Sequence, residues 1–187
     1  MSKTAVLFPG IGYHTDKPLL YYSAKLATSL GYDVIRIGYP SCAVNLKEAT
    51  RDQLRAVVEE CLKTVSEALK DVDLSKNEDT LFVSKSIGTV IATAYAQKMQ
   101  CRVRHILFTP LEDTFAYAGN SRSIAFNGTK DNWADHLAVR RLCEERGIPL
   151  TTIDGANHSL ETGIVTSDTS IMCDVMNAVE KFVCDRI

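Results

Sequence analysis

Six short apolar runs, each followed by a loop and then by a stretch of helical periodicity, divide this 187-residue chain from end to end. They are Ala5–Phe8, Asp33–Pro40, Leu81–Val83, His105–Phe108, Ser123–Gly128 and Leu150–Asp154. Between them the spacing predicts a helix over Leu19–Leu30, with Gly31 as its stop signal. A longer helix carries Leu54, Val57, Val58, Cys61, Leu62 and Val65 on one face, with Asn45 and Glu48 as a capping pair ahead of it. Ile87, Val90, Ile91, Ala94 and Tyr95 give another helix, and about Trp133 to Arg146 a fourth, stopped by Gly147 and Pro149. Ile171, Val175, Met176, Val179 and Phe182 mark the last. Strands that alternate with helices make βαβ units, and short strands that are apolar throughout are covered on both faces. The pattern predicts an α/β three-layer sandwich: a mostly parallel sheet of about six strands in one domain spanning residues 1–187.

Composition narrows the function. A formal net charge of −2, with both signs mixed along the chain and no basic stripe, argues against a nucleic-acid partner. No apolar run approaches the roughly 18 residues that span a bilayer, so no membrane association is expected. The N-terminus enters a strand-like run at once and lacks the pattern of a signal peptide, which predicts a cytoplasmic protein. The cysteines, Cys42, Cys61, Cys101, Cys143, Cys173 and Cys184, form no CxxC pair and mostly fall in apolar periodic segments, as small buried hydrophobes do in a reducing compartment. No metal-ligand spacing and no complete dinucleotide fingerprint is found, so no cofactor is expected.

Ligands of an open parallel sheet bind beyond the carboxyl ends of its strands. Three of those loops hold the residue types of acyl transfer. In Ser84-Lys85-Ser86-Ile87-Gly88 a serine stands at a strand-to-helix turn with small residues on either side, as the sharply bent G-x-S-x-G elbow requires. Ser86 is the expected nucleophile, Ser84 replaces the first glycine, and Lys85 reads as a solvated side chain. A serine needs a base to take its proton, and the base needs a carboxylate to orient it. Asp131 follows the fifth strand in GTKD and His158 the sixth in GANH. Asp135 is the fallback acid, placed inside the following helix. Among the other histidines, His105 begins a strand, His136 sits in a helix and His14 lies on the first loop, which suits none of them to the role of base.

The order Ser86, Asp131, His158, with each residue after a strand, resembles the α/β-hydrolase superfamily, and its small lidless esterases and dienelactone-hydrolase-like members in particular. The resemblance covers essentially the whole chain and implies a minimal version of the fold, beginning at what would be the third strand of larger members, without a cap. It also implies an oxyanion hole from the backbone N–H groups of Ile87 and Ile11, the latter in Pro9-Gly10-Ile11-Gly12, where family members often carry His-Gly. Tyr13, His14, Tyr39, Leu111, Phe115 and Tyr117 are the expected contacts of a small-molecule acyl substrate.

The expected reaction is hydrolysis of a small ester or thioester through an acyl-enzyme on Ser86, with activity falling in acid as His158 protonates. An acyltransferase on the same residues and a non-catalytic binding protein on the same scaffold are the alternatives. An exposed edge strand leaves pairing into a homodimer open.

Overall fold

The computed structural model describes residues 2–39, 50–100, 102–119 and 121–185. Its elements run β1 (Lys3–Phe8), α1 (Pro18–Ser29), β2 (Asp33–Arg36), α2 (Arg51–Ala68), β3 (Asp79–Lys85), α3 (Ile87–Met99), β4 (Arg104–Phe108), α4 (Thr114–Tyr117), β5 (Ser123–Gly128), α5 (His136–Glu145), β6 (Leu150–Ile153) and α6 (Val165–Cys184). The six strands form one sheet in the order β2-β1-β3-β4-β5-β6, and every pairing is parallel.

Parallel neighbours require crossovers, and the helices supply them on both faces. One face of the sheet packs against α1 and α6 around Leu7, Leu19, Val83, Phe108, Val175 and Val179. The other packs against α2 and α3 around Phe8, Phe82, Ile87, Ile91 and Val65, and against α5 around Leu107, Val139 and Cys143. Residues Ile87 to Ala96 of α3 are all buried, so this helix is apolar nearly all round rather than on one face.

Local chemistry sets several boundaries differently from the sequence pattern. Regular pairing of β2 ends at Arg36, although the Ile37 N–H still donates to Leu7 O at 3.0 Å. Thr50 and Gln53 form a reciprocal capping box at the start of α2; Asn45 and Glu48, the pair expected there, lie outside the described residues, as do Pro40, Cys42 and Cys101. α5 begins at His136 rather than Trp133 because Asp135 is its N-cap, accepting from Leu137 N at 2.9 Å. Among the described cysteines Cys61 and Cys143 are buried as expected, whereas Cys173 and Cys184 are exposed.

The chain runs outward from β1 to β2 and then returns across β1 to β3. The strand order therefore reverses between β1 and β3, and their carboxyl ends open on a crevice where no crossover helix intrudes. The loops after β1 and β3 meet there.

Candidate active site

Ser86 follows the last residue of β3 and caps α3 with φ 56° and ψ −127°. That conformation is costly for a residue with a Cβ and is held from both sides. The Ser86 N–H donates to Phe108 O at 3.0 Å, and Ser86 O accepts from the Thr89 N–H at 2.8 Å and from Thr89 Oγ1 at 2.6 Å. Gly88 makes the turn feasible. A Cβ at that position would stand 2.4 Å from Phe8 O and 2.5 Å from Pro9 O, so only glycine lets α3 start this close to the end of β1. Ser84 is fully buried, and its hydroxyl donates to Ile106 O at 3.1 Å. Of the two serines, Ser86 alone has its hydroxyl at the crevice.

His158 Nε2 lies 2.7 Å from Ser86 Oγ, and His158 Nδ1 lies 2.7 Å from Asp131 Oδ2. An ionised carboxylate only accepts, so Nδ1 carries the proton and Nε2 is left to accept from the serine. The loops are built to hold this chain. Asp131 Oδ1 takes the Trp133 N–H at 2.8 Å and the Ala134 N–H at 3.4 Å. The Lys130 N–H donates to Ala156 O at 2.9 Å, which joins the loop after β5 to the loop after β6. Gly128 permits that contact, since a Cβ there would sit 2.1 Å from Ala156 O. Asn157 Oδ1 accepts from the N–H groups of Ser159 and Glu161, which folds the chain tightly around His158.

Burial disfavours ionisation of Asp131, but the hydrogen bond and charge of His158, the Trp133 N–H and the charge of Lys85 outweigh it and hold the carboxyl below its ordinary range. The Asp135 fallback is spent as a helix cap. His105 is buried within β4, and its burial pushes its pKa down to about 4.

The first loop closes against the elbow. Gly10 and Tyr13 exchange backbone hydrogen bonds at 3.1 and 3.2 Å, and a Cβ on Gly10 would lie 3.2 Å from the Ser86 Cβ. Among the described residues, neither the Ile11 N–H in this loop nor the Ile87 N–H at the first turn of α3 donates to a protein acceptor. Two unspent donors thus lie on the two loops that meet at Ser86, and the amino end of α3 adds its dipole.

The expected substrate contacts are dispersed. Tyr13 is 6% exposed and Phe115 1% exposed, both within the core. The Tyr13 hydroxyl is spent accepting from Leu19 N at 3.1 Å. Tyr39 and Tyr117 pack against the α2–α3 core and Leu111 bridges it to the α5 core. His14 is exposed and pairs with Asp16 at 3.8 Å. Two residues near the site escaped the sequence reading. The Trp133 indole stacks on His158, and the signal was its place two residues after the acid. Lys85 is not solvated but 1% exposed, because the alternation of β3 turns it onto the α1–α6 face with Leu81 and Val83.

No family model matches this sequence, and no curated protein sequence does. Solved structures do match it along nearly its whole length. A serine hydrolase without a lid from Xanthomonas campestris aligns with a TM-score of 0.64 at 16% identity, over 94% of this chain and 81% of the other. The fold is the α/β-hydrolase fold. A serine hydrolase homologue from Coxiella burnetii aligns with a TM-score of 0.60 at 18% identity, over 93% of this chain and 85% of the other. The Est1E structure from Butyrivibrio proteoclasticus with ferulic acid bound aligns with a TM-score of 0.64 at 10% identity, over 96% and 90%. In this hydrolase fold the sheet order and the strand-to-helix turn at Ser86 are read directly from the chain; at these identities the likeness speaks to architecture alone.

Proposed function

We propose that the protein is a serine hydrolase that cleaves a small ester or thioester through an acyl-enzyme on Ser86. One observation carries the reading: the continuous hydrogen-bonded chain Ser86 Oγ, His158, Asp131, with each link at 2.7 Å and the serine held in a strained turn. In the acylation step His158 Nε2 takes the Ser86 proton as Oγ bonds to the substrate carbonyl carbon. The carbonyl π electrons move to oxygen, and the Ile11 and Ile87 N–H groups receive the oxyanion. Collapse expels the alcohol or thiol, which takes the proton from His158. Water, deprotonated by the same nitrogen, then attacks the acyl-enzyme and releases the carboxylic acid and free Ser86. Asp131 stays ionised and stabilises the imidazolium in both steps.

Ile11, Trp133 and Leu137 are exposed apolar side chains on or just after the loops that bear these groups, at 39%, 40% and 60%. They favour an apolar or aromatic acyl or alcohol part, and the ferulic acid bound to Est1E makes aromatic esters a sensible first class to screen. The protein would act without cofactor.

Fluorophosphonate labelling followed by mass mapping tests the reading, with Ser86→Ala and His158→Ala beside wild type. Label on Ser86 that both variants lose is the expected result. Folded protein that takes no label, or takes it on Ser84, would overturn it.

A further inference from the structure

A cavity of about 750 Å³ opens between the start of β5, the edge strand β6 and the last turns of α6. Ser86, Asp131 and His158 all follow the carboxyl ends of parallel strands, whereas Ser123, Ile124 and Pro149 stand at or just before amino ends. The cavity and the crevice at Ser86 therefore lie on opposite rims of the sheet. The volume is that of a small-molecule site. Its apolar lining includes Ile124, Ala178 and Phe182, which belong to or border the α1–α6 core. Its charged lining, among the described residues, sets three cations, Arg122, Arg146 and Lys181, against one carboxylate, Asp185.

The cations are not equally committed. Arg146 pairs with Glu145 at 3.8 Å and stands over the Phe115 ring. Arg122 donates from one nitrogen to Asp185 O, and its guanidinium lies 5.2 Å from the centroid of the Phe182 ring. It is thus held from two sides, while its remaining N–H groups have no acceptor among the described residues. Lys181 is exposed and makes no ion pair among the described residues. A guanidinium held against an apolar lining suits a carboxylate, which accepts from two of its N–H groups at once, and the lysine adds a point charge. A cationic ligand would be repelled by the surplus of positive charge, and a neutral one would leave the Arg122 donors unused. We propose that this cavity binds a small apolar monocarboxylate, with Arg122 and Lys181 taking the carboxylate and Ile124, Ala178 and Phe182 the hydrocarbon. Asp185 in the same lining favours one negative charge over two, which sets a carboxylate ahead of a phosphate monoester. The proposal does not depend on the reading of Ser86.

Octanoate titrated into the isotope-labelled full chain, followed by backbone amide NMR, tests the site. The amides of Ile124, Thr151 and Phe182 should shift together and saturably, with a dissociation constant of about 1 mM for a ligand of about ten heavy atoms. Octylammonium and octanediol keep the chain but reverse or remove the charge, and each should bind about fivefold more weakly or worse. Octyl phosphate should bind no more tightly than octanoate. Lys181→Glu should weaken octanoate by about fivefold, as expected for reversing one partly solvated charge. Thr151→Trp should abolish binding, because Thr151 is exposed on β6 and lines the cavity, so an indole there fills the space without entering the core. Octanoate that binds no tighter than the diol or the amine overturns the proposal. So do shifts that survive Thr151→Trp in folded protein, shifts confined to the loops around Ser86, and tighter binding of octyl phosphate. No arm reads activity, so a Ser86 that takes no fluorophosphonate leaves this site standing, and an empty cavity leaves the hydrolase reading untouched.

Discussion

The indole of Trp133 lies against the imidazole of His158 with ring centroids 5.7 Å apart and planes 28° apart. The same carboxylate holds both residues, because Asp131 accepts the Trp133 backbone N–H with one oxygen and pairs with His158 Nδ1 through the other. An aromatic face favours a cation beside it, so the stack favours the imidazolium form of His158. Trp133→Ala should move the His158 midpoint down by a few tenths of a unit, as expected for losing a partly exposed cation–π contact, and Trp133→Phe should restore most of it. Histidine NMR and the acid limb of kcat/KM would report the change, and an upward shift would contradict this role.

Asp131→Asn separates the two duties of the acid. The amide oxygen can still accept the Trp133 N–H, so the loop after β5 should keep its shape. The amide cannot hold the proton on Nδ1 as a carboxylate does, and kcat should fall by roughly 10⁴-fold. Steady-state rates on an active ester, taken with an unchanged circular dichroism spectrum, check this. A loss of less than about tenfold would mean that Asp131 serves only as a loop cap.

Gly88→Ala should be a folding defect before it is a catalytic one. The new methyl would meet the main chain of Phe8 and Pro9 at 2.4 and 2.5 Å, and backbone cannot step aside as a flexible side chain can. A loss of about 3 kcal/mol or more is expected by chemical denaturation. A stable Gly88→Ala protein would place the elbow farther from β1 than described here.

Lys85 should also set a pH dependence of stability. Its pKa falls from 10.5 to about 7 on folding. Between those values the unfolded chain keeps a proton that the folded chain has released, so stability rises with pH there, by at most about 1.4 kcal/mol per unit. Below the folded value both states are protonated and the contribution is constant. Lys85→Met should lack the rise and should gain most over wild type on the acid side of the window. Urea titrations across the window decide it: a constant gap between the two proteins would mean that the amine is not desolvated.

The strands, and the meeting of Ser86, Asp131 and His158, were legible because each rests on local pattern. An apolar run ends, a small-residue turn follows, and the chain order of serine, acid and histidine survives without knowledge of contacts. Lys85 was misread for the opposite reason. A lysine beside polar neighbours reads as solvated, and only the alternation of β3 together with the closure of the first loop over it reveals a buried position. Tyr13 and Phe115 were picked as walls from their places in the loops after β1 and β4, and sequence position does not say that their own neighbours bury them. The start of α5 slipped past Trp133 because Asp131 and Asp135 are both plausible caps, and the tertiary bond to His158 recruits the first.

The stitched loops after β5 and β6 divide the site between two stretches of chain. Asp131 and His158 lie beyond β4, and Ser86 and the unspent N–H donors of Ile11 and Ile87 lie before it. On the proposed reading neither stretch reacts alone, and the seam between them is the β3–β4–β5 ladder at the centre of the sheet. An activity-based label on Ser86 would therefore work as a reporter of complete folding. It should appear only with the last cooperative step of refolding, and it should reappear when separately expressed halves, cut between β4 and β5, reassemble by complementation.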